Sequence, residues 1–228
     1  MTRFLDIVGS FLALFVLSPV FVVVMIVLKC TGEHEIFYRM KRVGRGGREF
    51  GMWKFSTMLK NSPSLPGGVL TQKDDPRVLP VGKFLRKTKI NELPQLINIL
   101  TGEMSFVGPR PQARAHYDLY SDEVKAKIDV LRPGLTGLGS LVFRDEEDIL
   151  SEIETRGLEI SRDQFHDTVI APYKGELEKW YAEHRSLANY LLLIVMTAWS
   201  VVSPRTALHR RVFRNLPPIP SELKGFIG

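Results

Sequence analysis

Cysteine is almost missing from this sequence. Cys30 is the single one among 228 residues, which excludes an internal disulfide and any cysteine-built metal centre and suits a reducing compartment. Histidine is sparse as well. His34, His116, His166, His184 and His209 show no HxH or HExxH spacing, so they read as surface or structural groups rather than as a ligand set. No GxxxxGK[ST] or GxGxxG run occurs. The stretch Gly44-Arg45-Gly46-Gly47-Arg48 fits a hairpin turn, not a nucleotide-binding loop. A DxD sequence is lacking too; Asp74-Asp75-Pro76-Arg77 reads as a turn with a local Asp–Arg pair. Zinc-finger spacing and basic helices interleaved with aromatics are absent, so nucleic acid is not an expected partner. Nor is there an internal repeat.

What the chain does have is an excess of positive charge and one long apolar run. Lys plus Arg number 31 against 25 for Asp plus Glu, a formal net charge of +6, which favours phosphates or an acidic membrane surface as partners. Residues 7–28, IVGSFLALFVLSPVFVVVMIVL, carry no charged side chain. As a helix this run is about 33 Å long, enough to cross a hydrocarbon core. No small-residue cleavage site follows it, and Lys29 stands before Cys30, so a cleaved leader is not expected. Ser18-Pro19 falls at its middle. Proline removes a backbone hydrogen bond and predicts a kink, and the serine hydroxyl can serve the freed carbonyl. Arg3 lies ahead of the run, and Lys29, Arg39, Lys41, Arg42 and Arg45 lie behind it. These residues leave two arrangements open: a spanning helix, or a re-entrant one that returns to the face it entered.

Beyond the apolar run the pattern is that of a mostly helical α/β chain with a small β-hairpin. Residues 35–55 predict the hairpin, with Lys54 on its return strand. Residues 61–68 form a loop. Residues 113–130 predict one charged amphipathic helix. The stretch Arg132-Pro133-Gly134-Leu135-Thr136-Gly137-Leu138-Gly139 fits either a structural turn or a close backbone approach to a ligand. Asp145-Glu146-Glu147-Asp148 predicts a helix start favoured by the dipole, not a metal site, because adjacent carboxylates do not share one face of a helix. A helix follows over 167–183 with Pro172 near its start. A second apolar segment, 187–203, is short for a span and reads as a buried or interfacial helix, with Tyr190 and Trp199 suited to an interface and Arg205, Arg210 and Arg211 behind it.

The densest chemistry lies in residues 84–111, FLRKTKINELPQLINILTGEMSFVGPRP. Arg86 and Lys87 precede a predicted helix start at Asn91-Glu92. Pro94 falls in the first turn, Leu93, Leu96, Ile97 and Leu100 recur at helical spacing, and Gly102 is a stop. Asn91 read by itself is a helix N-cap, and Glu92 suits the positive end of the dipole. The surrounding Arg86, Lys87, Lys89 and Arg110 make the same place an anion site. Pro109-Arg110-Pro111 presents its guanidinium from a stiff backbone, fit for a phosphate or carboxylate.

In their order and spacing these motifs resemble the bacterial sugar transferase family, the monotopic polyprenyl-phosphate phosphoglycosyl transferases. The resemblance rests on Ser18-Pro19, Phe37-Tyr38-Arg39, Arg42-Val43-Gly44, Lys54-Phe55-Ser56-Thr57-Met58, Leu85-Arg86-Lys87-Thr88, Glu92-Leu93-Pro94-Gln95-Leu96, Gly108-Pro109-Arg110-Pro111 and Arg132-Pro133-Gly134-Leu135-Thr136-Gly137. It implies a re-entrant membrane helix over residues 1–30, broken at Ser18-Pro19. Residues 31–228 would then be a cytoplasmic, membrane-associated transferase domain on the inner membrane, with an interfacial helix near 187–203. It implies transfer of a sugar-1-phosphate from a UDP-sugar to undecaprenyl phosphate with release of UMP, at the start of surface glycan or exopolysaccharide assembly, with Mg²⁺ as cofactor. Glu92, Asn91 and Lys54 would be catalytic, Glu92 would hold the metal, and Arg86, Arg110 and Arg42 would bind phosphate or nucleotide. A homo-oligomer is compatible with this. Sugar specificity would lie in loops such as 61–75 and 132–148.

Two residues depart from the family pattern. Ser56 stands where arginine is common. Asn91 stands where the family has the Asp that attacks the sugar-linked phosphate and forms a phosphoryl-enzyme. A carboxamide is a poor nucleophile and a weak Mg²⁺ ligand. Glu92 as nucleophile, direct attack by the polyprenyl phosphate, a variant inactive site, and a non-catalytic relative that acts as a binding or scaffold protein are the four accounts open.

Overall fold

The computed structural model describes residues 2–65, 75–155, 160–202 and 212–227. Most of the 61–75 loop, together with Asp74, Ser203, Arg205, Arg210 and Arg211, lies outside these. The chain divides into two compact units. One comprises Arg3–Lys41 and Gly51–Gly102; the other comprises Arg42–Phe50 and Glu103–Gly228 with the first two residues.

The first of these units begins with the long apolar helix α1, Thr2–Cys30. It is long and apolar enough to cross a membrane by length and composition, and it runs unbroken through Pro19, so the helix break expected at Ser18-Pro19 is not found. The carbonyl that Pro19 leaves without its helical partner is that of Phe15, four residues back. The Ser18 hydroxyl donates to that oxygen at 2.7 Å, so the serine meets the need the proline creates. Phe11, Phe15 and Val16 are exposed, whereas Val24 and Leu28 pack with Phe55 and Leu85. Arg3 donates to the Ile99 and Leu100 carbonyls at 2.5 and 2.8 Å. A cation thereby covers the carboxyl end of a later helix, where orphan carbonyls and the dipole favour it.

Strands β1, Phe37–Val43, and β2, Glu49–Phe55, form the predicted hairpin. Its turn end belongs to the second unit and its open end to the first. Gly46 and Gly47 take left-handed φ of 70° and 68°, which a side chain would resist. Helix α2, Pro80–Lys87, starts on a proline, and a single turn at Ile90–Glu92 follows. Helix α3, Gln95–Thr101, ends at Gly102 with φ 94°, the stop that its glycine predicts.

In the second unit, β3, Ser105–Val107, and β4, Gly134–Thr136, pair in parallel with Ser105 opposite Gly134. Between them lie α4, Arg114–Asp118, and α5, Asp122–Ile128. The sequence predicts one helix over 113–130. The break falls where Ser121 caps α5 through the Val124 N–H, a local bond that competes with continuing the helix. Helices α6, Leu138–Val142, α7, Glu146–Thr155, α8, Arg162–Phe165, α9, Ala171–Glu183, and α10, Leu187–Val202, complete the unit. The acidic run 145–148 does open α7, as the dipole favours. A π turn, His166–Ile170, joins α8 to α9. Helix α10 buries Leu193 and Tyr190 and exposes Leu191, Val195 and Trp199, four residues apart on one face. Tyr190, which the sequence suggests for an interface, is core.

Candidate functional site

Lys54 and Glu92 meet in the first unit, with Asn91 next to Glu92 in one turn and Arg86 on the helix just ahead of that turn. Lys54 sits on β2 beside Trp53, and Asn98 of α3 fixes that stretch. Its amide oxygen accepts the Trp53 N–H at 2.9 Å, and its amide nitrogen donates to the Gly51 carbonyl at 2.9 Å. Asn98 thus pairs with the strand's free edge as a neighbouring strand would. With β2 so held, the Lys54 ammonium reaches the Glu92 carboxylate at 3.3 Å, both side chains mostly covered. Asn98 is buried within the apolar run Leu96-Ile97-Asn98-Ile99-Leu100, and that misplaced polar residue is the sequence signal by which it could have been found.

The turn that carries Asn91 and Glu92 is made by an unusual neighbour. Lys89 takes φ 59°, a left-handed conformation rarely adopted by a long side chain. It ends α2 and redirects the chain into the Ile90–Glu92 turn. Arg86, on the last turn of α2, approaches the Met58 sulfur at 3.9 Å. Gly82 of the same helix lies so close to the Thr57 carbonyl that a Cβ would overlap it.

The N-cap reading of Asn91 is corrected by this geometry. Helix α3 begins four residues later, behind Pro94, without a side-chain cap. Asn91 is buried inside the turn, and its Oδ1 has no hydrogen-bond partner. An unsatisfied buried carbonyl oxygen costs on the order of 1–3 kcal/mol. The position therefore holds a cost that a cation or donor from a ligand would relieve. The Glu92 carboxylate is a hard oxygen donor of the kind Mg²⁺ takes alongside substrate phosphates, so that residue fits the ion.

Arg42 and Arg110 belong to the second unit. The Val43 N–H donates to the Gln112 carbonyl at 2.8 Å, which ties the end of β1 to the chain just past Pro109-Arg110-Pro111. The loop ahead of that motif is locked by glycines. A Cβ on Gly134 or Gly137 would overlap the Gly108 backbone. Gly108 N–H donates to Thr136 O at 3.0 Å, and Gly134 N–H to Pro109 O at 2.9 Å. The glycine-rich stretch 132–139 is thus a structural contact with residues 108–109. Glu178 of α9 completes the lock: its Oε1 accepts the Arg110 N–H at 3.3 Å, and a Cβ on Gly139 would press on that same oxygen. The Arg110 guanidinium reaches the Ser140 hydroxyl at 3.5 Å.

Glu178 is a buried carboxyl whose second oxygen has no partner. Burial pushes it up to about 7, against the Arg110 and Gly139 N–H groups and the Lys174 charge. Between the ordinary 4.5 and about 7, the folded chain holds a proton that the unfolded chain has released. Stability therefore falls as pH rises through that window and levels off above it. The fall amounts to roughly 3 kcal/mol, or a drop of about 6 °C or more in the unfolding midpoint. Glu178→Gln keeps the acceptor for Arg110 and is expected to flatten that part of the pH curve in thermal unfolding scans. A wild-type curve that rises from pH 4.5 to about 7 would contradict the burial argument.

Nothing in the spacing of the histidines foretold their placement. His116 of α4 and His166 of the π turn lie with ring centroids 4.5 Å apart. His166 Nδ1 is 2.7 Å from Asp167 Oδ1, and its Nε2 is 3.4 Å from Glu146 Oε1. Burial, with the charges of His166 and Arg42, pushes the His116 pKa below its ordinary value, against Asp167 and Glu146. Lys174 and Glu146 form an ion pair at 2.5 Å. Burial works to raise Glu146, but Lys174 and then His166 outweigh it and hold that carboxyl below the usual range.

Comparison with known proteins gives one family. The profile described as bacterial sugar transferase matches residues 1–204. The chain is 37% identical over 159 residues to a Klebsiella pneumoniae UDP-glucose:undecaprenyl-phosphate glucose-1-phosphate transferase, covering 68% of this chain and 34% of that protein. It is 40% identical over 158 residues to the exopolysaccharide production protein ExoY of Sinorhizobium fredii (strain NBRC 101917 / NGR234), covering 63% of this chain and 70% of the relative. With an undecaprenyl-phosphate galactose phosphotransferase of Salmonella typhimurium it shares 31% identity over 210 residues, 86% of this chain and 39% of the other. The aligned part is thus about a third of the Klebsiella protein's length.

Proposed function

Because the chain belongs to the bacterial sugar transferase family, we propose that it moves a sugar-1-phosphate from a UDP-sugar to undecaprenyl phosphate and releases UMP. The observation that carries this reading is the Lys54–Glu92 pair at 3.3 Å beside an Asn91 oxygen that lacks a partner. The relatives named above are glucose-1-phosphate and galactose phosphotransferases and an exopolysaccharide production protein, which speaks for catalysis over a scaffold role.

This place holds one carboxylate where the family pattern has two. A single carboxylate cannot serve well both as a nucleophile and as the anchor of a cation. Lys54 draws charge from Glu92 Oε1, which weakens it as a nucleophile and leaves it suited to charge neutralisation. We therefore favour one displacement. An oxygen of the polyprenyl phosphate attacks the phosphorus that bears the sugar. The bond from that phosphorus to the UMP oxygen breaks, and UMP departs with the electron pair. Glu92 would hold Mg²⁺, which would neutralise charge on the phosphates. Lys54 keeps Glu92 aimed, and Arg86, Arg42 and Arg110 serve as phosphate-binding groups.

The two routes differ without acceptor. In a single displacement, labelled UMP does not exchange into UDP-sugar until undecaprenyl phosphate is added. Asn91→Asp restores a second carboxylate and is expected to make that exchange acceptor-independent. Exchange by the unaltered chain alone would overturn the single displacement. Turnover that appears only in Asn91→Asp would overturn activity itself. Asn91→Asp also places a charge where the side chain is 5% exposed, so its unfolding midpoint should fall without Mg²⁺ and recover with it.

For the membrane segment we propose the re-entrant arrangement on the cytoplasmic face of the inner membrane, with residues 1–30 inserted and 31–228 outside. Basic residues on both sides of the run support it, and Ser18-Pro19 is where the continuous α1 would have to bend for the chain to return. The exposed face of α10 supports an interfacial placement for residues 187–202. Cys30 is exposed and reports one end. A cysteine placed at Thr2 in a Cys30→Ser background reports the other. Labelling of both from the same side agrees with re-entry, and labelling from opposite sides means a span.

A further inference from the structure

We propose that His116, His166 and Asp167 form a binding site for a divalent transition metal of the zinc class. One ligand atom from each lies within 4.8 Å of the others. Zinc bonds of about 2.1 Å bring tetrahedral ligands to roughly 3.4 Å apart, so the three need only small side-chain adjustments. Two imidazoles and a carboxylate suit zinc, cobalt or nickel, and are poor ligands for Mg²⁺, which prefers oxygen alone.

Two observations beyond the cluster point the same way. His166 opens the π turn His166–Ile170. Such turns are rare in helices and concentrate at functional sites, because the extra residue re-aims a side chain. Here it turns His166 inward, 4% exposed, with Asp167 beside it. The second observation is Glu146. Its Oε1 is buried without a hydrogen-bond partner and stands 3.4 Å from His166 Nε2. A carboxylate on the far nitrogen of a histidine is the usual support of a metal ligand, fixing tautomer and ring orientation. With Nδ1 2.7 Å from Asp167 Oδ1 and Nε2 3.4 Å from Glu146 Oε1, His166 is placed to take that support when a metal binds.

Lys174 on Glu146 and the charge of Arg42 near His116 oppose a cation, so the site is weaker than a closed cysteine site. Bound metal would fasten α4, which follows the Pro109-Arg110-Pro111 loop, to the turn ahead of α9. Because α9 carries Glu178, whose carboxylate holds the Arg110 N–H, the ion would brace the phosphate-binding loop.

The test uses tag-free, chelator-treated full-length protein in detergent micelles, titrated with Co²⁺ at one fixed pH. One equivalent of Co²⁺ is expected to give visible ligand-field bands that excess Zn²⁺ removes and Mg²⁺ does not. Zinc at about a hundredfold above its dissociation constant should raise the unfolding midpoint by about 5 °C. His116→Ala and Asp167→Asn each should weaken Co²⁺ binding at least about tenfold, as lost ligands or their supports do. Both lie on partly exposed positions, so folding is spared where His166→Gln could disturb it. His184→Ala and Glu92→Gln should leave the bands unchanged. Absent bands, or bands of full strength in both His116→Ala and Asp167→Asn, overturn the proposal, and the second outcome places the ion elsewhere. Loss of the bands in Glu92→Gln would likewise overturn it, while leaving the transferase reading intact.

Discussion

Glu92→Gln is expected to lower kcat/KM for UMP release by on the order of 10³-fold, with little change in the unfolding midpoint. The substitution keeps size and one acceptor oxygen and removes only the charge. That charge is what Lys54 pairs with at 3.3 Å and what would hold a cation against the substrate phosphates. Phosphoryl transfer is catalysed mainly by charge placed where charge moves, and removing one such group costs about 10²–10⁵-fold. Folding should change little, because glutamine keeps an acceptor oxygen for the Lys54 ammonium in this mostly covered pair. The measurement is UMP release from labelled UDP-sugars with undecaprenyl phosphate. Turnover within about tenfold of the unaltered chain would remove Glu92 from the reaction.

Lys174→Met should be the most destabilising single change in the second unit, by about 3–5 kcal/mol. The Lys174 ammonium is buried and lies 2.5 Å from Glu146. It also supplies positive charge to Glu178 and rests over the Phe143 ring at 5.3 Å. Methionine fills much of the same volume, so packing survives while two carboxylates lose their counter-charge. Glu146 loses most, since the pairing is what outweighs burial there. Lys174→Met with Glu146→Gln should recover a good part of the loss, because the pair is removed together. Thermal or denaturant unfolding decides it. A single variant as destabilised as the double would mean the lysine acts through packing alone.

The elements near the site were largely legible. Apolar spacing and Gly102 gave α3, alternation and glycines gave the hairpin, and the uncharged run gave α1, because each is set by local backbone and side-chain physics. The helix break at Ser121 and the role of Asn98 were not legible, since both depend on which competing hydrogen bond wins once neighbours arrive. Asn91 shows the limit most clearly. A good cap by residue type, it is buried in the turn because Lys89 accepts a left-handed φ, which no propensity forecasts.

By itself the sequence determined the charge available, the motif order that marks the family, and a carboxamide rather than a carboxylate at position 91. Those are properties of composition and local order, and folding cannot change them. Only the tertiary structure decided what the charges do. It gave Glu92 to Lys54, left the Asn91 oxygen without a partner, set Glu178 under the Arg110 loop, and joined two histidines fifty positions apart. Partners of this kind depend on packing between segments distant in the chain, and desolvation then fixes their strength.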